Sequence, residues 1–140
     1  MIYHCCDQLR RNAVDAHATL NGIDYLEVVD NDAPAFELRQ LTLLVRLLKP
    51  VPASLTRSNV RIEGGERVRD IGIEWVAPAS VPPASTSAAE QALYAALPER
   101  DHVLLVRVGA YGDHSSYTLR LVRSALDDTP PAGFDPRLAE

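Results

Sequence analysis

The chain has 140 residues, 46% hydrophobic and 24% charged, the balance of one globular domain rather than of a disordered segment. Its net charge is −5 and its arginines are scattered among carboxylates, which sets nucleic acid aside as a partner, since that needs a gathered basic face. No apolar run approaches the ~20 residues that cross a bilayer, and the polar start lacks the apolar stretch of a secretion signal, so no membrane partner and synthesis in the cytoplasm are expected.

In chain order, Leu9, Ala13, Ala16 and Leu20 recur at helical spacing and predict a helix over residues 6–20, stopped by Asn21 and Gly22. Residues 23–29 read as a strand ending in the turn-forming run Asp30, Asn31, Asp32, Ala33, Pro34. Residues 41–48 carry the strongest strand pattern, with Leu41, Leu43, Val45 and Leu47 on one face and Thr42, Leu44, Arg46 and Leu48 on the other. Both faces are largely apolar, so a central strand is expected, ended by Pro50 and Pro52. Residues 60–63 alternate apolar and charged and stop at Gly64 and Gly65. Ile71, Ile73 and Trp75 are expected to share one face. Residues 77–87, rich in Pro, Ser and Ala, form a loop. Ser87 and Glu90 then have the spacing of a capping box ahead of a short helix that Pro98 closes.

Residues 103–108 and 117–123 predict two more strands, joined as a hairpin by a loop at 109–116 rich in Gly, Asp and Ser. The whole predicts a mainly β chain, an Ig-like β-sandwich with one or two short peripheral helices. Its domain spans residues 1–126 and includes the N-terminal helix; residues 127–140 form a proline-rich extended tail.

Candidate chemistry is thin. His4, Cys5, Cys6 and Asp7 are all possible ligands but are consecutive, with no second cysteine pair, so no metal is expected. Cys5 and Cys6 are expected to be free thiols. Glu27, Asp30 and Asp32 follow no EF-hand spacing. Asp113, His114, Ser115 and Ser116 are the residue types of a hydrolase triad, but neighbours in one loop cannot hold triad geometry, and the G-x-S-x-G elbow is absent. Gly64, Gly65 and Glu66 lack the spacing of a phosphate loop, and Trp75 is expected in the core. The residues therefore predict no catalytic group, no cofactor and no enzyme. Candidates for contact with another protein are Phe134, the large aromatic of the tail, with Leu138 beside it, and Tyr111 in the 109–116 loop.

Six stretches in order resemble a known family: residues 1–14 (MIYHCCDQLRRNAV), 20–28 (LNGIDYLEV), 41–50 (LTLLVRLLKP), 59–65 (NVRIEGG), 116–123 (SYTLRLVR) and 130–140 (PPAGFDPRLAE). Together they resemble the opening of baseplate assembly proteins of bacterial contractile, phage-tail-like injection systems. The resemblance leaves out mainly residues 77–100. It implies either the N-terminal domain of a longer protein or a short relative that keeps only this module, with a structural role in the assembled particle, and partners among baseplate, sheath, tube or spike proteins. It carries over no catalytic or cofactor residue and no small-molecule substrate. The rival expectation is a β-sandwich module that binds a small ligand or glycan, for which Tyr111 is the one loop aromatic available.

Overall fold

The computed structural model describes residues 2–4 and 7–140. Cys5 and Cys6, with the thiol and metal expectations that fall on them, lie outside the described residues. The elements in order are β1 (Ile2–His4), α1 (Gln8–Ala16), β2 (Ile23–Val29), β3 (Thr42–Leu47), β4 (Val60–Gly64), β5 (Ile73–Pro78), α2 (Ala88–Ala95), β6 (Val103–Val108) and β7 (Tyr117–Leu121). Short 3₁₀ turns punctuate the connections at Phe36–Leu38, Arg57–Asn59, Arg100–His102 and Pro136–Leu138.

Five strands form one antiparallel sheet in the order β1-β2-β3-β6-β5, and β4 pairs with β7 in a separate two-stranded ribbon. Strand β6, Val-Leu-Leu-Val-Arg-Val, is buried at all six positions because it has strands on both edges and cover on both faces. Its even positions, Leu104, Val106 and Val108, meet Val45 and Leu47 of β3 and, from the ribbon, Val60, Leu119 and Leu121. Its odd positions Val103 and Leu105 pack with Val29, Leu44 and Ala79, and Tyr94 of α2 joins them. The period of two in β3 and β6 thus splits the interior into two cores, one under the ribbon and one under the helix. The chain is mainly β and antiparallel with two short helices, as expected. This pairing does not establish an Ig-like sandwich, because the second sheet has only two strands.

Three local expectations are corrected. Strands β6 and β7 form no hairpin: both edges of β6 are taken by β3 and β5, so residues 109–116 carry the chain across to the ribbon instead. Trp75 does not share a face with Ile71 and Ile73. The register of β5 on β6 shifts between Ile73 and Trp75, and this bulge turns Trp75 to the helix side while Ile71 and Ile73 stay with the ribbon core. The N-terminal helix stops at Ala16, not Leu20, because His17 Nδ1 accepts the backbone N–H groups of Thr19 and Leu20 at 3.1 and 2.9 Å and draws the chain out of the helix. Asp7 caps its start by accepting from the Arg10 N–H at 2.9 Å.

Asn21, expected as part of a helix stop, is a buried hub. Its Oδ1 accepts from the Gly22 and Lys49 N–H groups at 2.9 and 3.0 Å, and its Nδ2 donates to the Lys49 and Pro50 carbonyls. Its backbone pairs with Gly133 and Asp135, so the C-terminal segment adds beside it. Residues 127–140 accordingly lie along their own domain. The Arg10 guanidinium donates twice to Asp135 Oδ2, at 2.9 and 2.5 Å, and the Leu121 N–H donates to the Ala139 carbonyl at 2.7 Å. Leu138 packs with Val14 and Leu48 and sits so close to Gly22 that a Cβ there would come within 2.6 Å of it. The segment works as a belt from the ribbon to α1.

Beneath α2 lies a buried charged cluster. The capping box of Ser87 and Glu90 forms as expected, the Ser87 Oγ accepting from the Glu90 N–H at 3.2 Å and Glu90 Oε2 accepting from the Ser87 N–H at 2.9 Å. The other Glu90 oxygen takes an ion pair from Arg107, whose guanidinium also lies 5.2 Å from the Trp75 ring. Burial works against the Glu90 charge, but the Ser87 N–H and Arg107 outweigh it and hold the carboxyl below its usual range. Burial also pushes the Tyr94 hydroxyl up. Arg107 Nε has no hydrogen-bond partner, and the helix is tied to the sheet by the Glu90–Arg107 pair and by Tyr94, which packs in the core beside Val29 and Leu105.

Candidate interaction surface

Two loops from different sheet connections meet at one surface. The β2–β3 loop carries the turn Phe36–Leu38, and the β6–β7 crossover carries Tyr111, whose hydroxyl donates to the Glu37 carbonyl at 3.0 Å. Phe36 is 76% exposed and Tyr111 51%. The Arg39 guanidinium lies 5.2 Å from the Phe36 ring centre. The result is a patch of two aromatic side chains and a stacked arginine, its rings left largely uncovered among the described residues.

The crossover is pinned from behind. Gly64 and Gly65 adopt φ of +112° and +80°, left-handed conformations that glycine takes without strain. They turn the next three backbone N–H groups inward, so that Glu66, Arg67 and Val68 all donate to Asp113 Oδ2 at 3.2, 2.6 and 3.0 Å. The Ser115 hydroxyl and these N–H groups hold the Asp113 carboxyl well below the usual carboxylate range. The Tyr117 hydroxyl accepts from the Asp113 N–H at 2.8 Å and lies 2.8 Å from the Val68 carbonyl. A Cβ at Gly65 would fall 2.1 Å from the Val68 carbonyl oxygen, and one at Gly112 would fall 2.7 Å from the Tyr117 ring. The Gly-Gly turn is a nest for an anion that the domain itself supplies.

This accounts for the triad-like residues. Asp113 is spent on the 64–68 loop and on the Ser115 N–H, and no hydrogen bond joins it to His114 or joins His114 to Ser115. Among the described residues no group of three or more His, Cys, Asp or Glu side chains is placed to hold a metal ion, the set Glu27, Asp30 and Asp32 included. Trp75 faces Arg107 rather than an open cleft.

The three residues singled out for protein contact separate. Tyr111 is at the surface, as required of a contact residue. Phe134 is 5% exposed and Leu138 1%, both enclosed by their own domain. Phe36 and Arg39 escaped sequence reasoning. The available signal was a phenylalanine inside a polar, turn-rich connection at 30–40, where a core role is hard to arrange.

These features define a class: an antiparallel β domain whose charged clusters are used up in holding loops and helix in place, and which offers side chains at a loop surface. The chain belongs to the family of phage baseplate assembly protein N-terminal domains, whose model matches residues 1–140, the whole chain. That family gives it a structural, assembly role as a component of a phage particle, which suggests a non-enzymatic protein that interacts with other phage structural proteins. No curated protein and no solved structure matches the chain. No helix among the described residues is long and apolar enough to cross a membrane.

Proposed function

We propose that this domain is a non-enzymatic assembly part of the baseplate of a contractile, phage-tail-like injection system, and that it works by binding other baseplate, sheath, tube or spike proteins. The observation that carries the reading is the exposed patch of Phe36, Arg39 and Tyr111. Aromatic residues and arginine dominate the energetic centres of protein interfaces, the rings because they bury much area at little entropic cost and arginine because its planar fork both stacks and hydrogen-bonds. The pinned crossover behind Tyr111 supports the reading, since a pre-ordered loop loses less freedom on binding. Phe134 and Leu138 instead fix the C-terminal belt beside Asn21 and Gly22, at the start of β2. The protein is made in the cytoplasm and then built into the particle.

The test is co-expression of the tagged domain with the sheath, tube, spike and remaining baseplate components. Wild type is expected to co-purify with at least one of them, and the Phe36→Ser, Tyr111→Ser double variant to lose it while melting within a few degrees of wild type. Undiminished co-purification of the double variant refutes the role of the patch. Binding of a sugar or metabolite at micromolar affinity, with no baseplate component captured, replaces the reading with the ligand-binding module.

A further inference from the structure

We propose that an extended strand from a neighbouring protein subunit docks in the groove between β4 and the start of β5, pairing with the free edge of β4. The groove is open, has a volume of about 420 Å³, and is lined by Val60, Ile62, Ile71, Ile73, Arg57 and Asp70 among others. It lies where the ribbon and the main sheet leave their edges side by side, because among the described residues β4 and β5 each have a strand on one side only.

Hydrogen bonding defines what fits. The Val122 N–H donates to the Asn59 carbonyl at 2.8 Å and the Gly65 N–H to the Ser116 carbonyl at 3.1 Å, bracketing the β4–β7 ladder. Bonded and non-bonded pairs alternate in an antiparallel ladder, so Arg61 and Glu63 bond to β7 while Ile62 turns its N–H and C=O the other way. The Val60 N–H is taken by the Arg57 carbonyl, which leaves the Val60 C=O free beside them. A donor and acceptors at strand spacing along an open edge are complementary to another extended backbone.

The side chains narrow the occupant further. Ile62, Ile71 and Ile73 are only partly buried and border the ribbon core, so alternate residues of an added strand gain apolar contact there. Arg57 and Asp70 form no ion pair among the described residues, whereas Arg61 is already held by Glu63 and Asp128. Two unpaired charges of opposite sign fit a segment bearing one acidic and one basic residue, and disfavour a polyanion. None of the lining residues is aromatic, which tells against a glycan. At the rim, the turn between Ser124 and Asp127 holds Leu126 at 99% exposure, an apolar knob for the body behind the strand.

Only the source of the strand, a neighbouring subunit, rests on the assembly reading. Strand addition itself is tested with a capped synthetic peptide, Glu-Val-Thr-Val-Thr-Val-Lys, and the intact domain. At saturating peptide the Ile62 amide is expected to exchange about tenfold more slowly, because it enters a ladder. A version with alternate amides N-methylated keeps the side chains but cannot pair, and gives no protection. Arg57→Glu is expected to weaken binding of the unmethylated peptide severalfold, and a peptide with Lys for its Glu to recover the affinity. An unprotected Ile62 amide at millimolar peptide overturns the proposal, as does equal binding by the N-methylated peptide. Protection that grows with protein concentration alone overturns it too, since the occupant is then a second copy. Failure here with co-purification intact removes only the groove, and the converse result removes only the assembly reading.

Discussion

Replacing Glu90 with Ala is the sharpest probe of how α2 is held. The Glu90 and Arg107 side chains are 8% and 9% exposed, so the change leaves a buried guanidinium without its carboxylate, beside the Trp75 face and the Tyr94 hydroxyl and with its Nε already unpartnered. Breaking a buried pair from one side costs roughly 3–5 kcal/mol. The same change removes half of the capping box, about 1 kcal/mol more. Together these take a large part of the ~5–15 kcal/mol that holds a domain folded. At roughly 3 °C per kcal/mol for a chain of this size, the melting temperature is expected to fall by about 12–18 °C. The control is the double change Glu90→Gln with Arg107→Met, which keeps an amide for the Ser87 N–H and removes both charges. Exchanging both partners for uncharged groups is often neutral, so this variant is expected to recover at least half of the loss. Urea and thermal unfolding of both variants decide the matter. A single variant that loses less than ~1 kcal/mol shows the pair to be worth no more than a surface contact. A double variant as unstable as the single one shows that the buried charge is not the cause.

Three further outcomes follow from the same structure. Contacts with Ser115, Thr129, Arg10 and Ser87 depress Asp113, Asp127, Asp135 and Glu90, so their stabilisation is complete above the unfolded carboxyl range near pH ~4 and is lost as the pH falls through the lowered folded values; Asp135→Asn is expected to be less stable at neutral pH and to lose less on acidification, read by urea unfolding across pH. Phe134→Ala opens a cavity under the belt and is expected to cost ~3–5 kcal/mol, with early loss of amide protection in residues 127–140. Asp113→Ala strips the 64–68 loop of its anion and is expected to expose it to proteolysis, whereas His114→Ala changes stability by no more than ~0.5 kcal/mol; equal cleavage of the two variants refutes the nest.

Much of this fold is carried by local pattern. Strands β2, β3, β4 and β6 fall where apolar runs bounded by turn residues put them, and β3 is central because both its faces are apolar, a property its own residues fix. Helix α2 begins where the spacing of Ser87 and Glu90 puts it, because a capping box closes within four residues. The family is likewise written in the order of the short stretches shared along the chain. Partnership was decided elsewhere. The glycine-rich residues 109–116 suit a hairpin by composition, yet β6 was already flanked on both edges, so competition for strand edges sent β7 to β4. One inserted residue between Ile73 and Trp75 reversed the face of the tryptophan, which no periodicity reveals until a partner strand sets the register. Phe134 and Leu138 look like surface anchors because prolines surround them. Their burial depends on Asn21 and Arg10, residues more than a hundred positions away whose hydrogen bonds draw the segment in. Phe36 and Tyr111 form a patch only because two separate loops end at one place, and that proximity arises from strand order alone. Local propensity acts over a few residues and is legible in any short window; edges, register and surfaces are settled by distant chain segments competing for the same space.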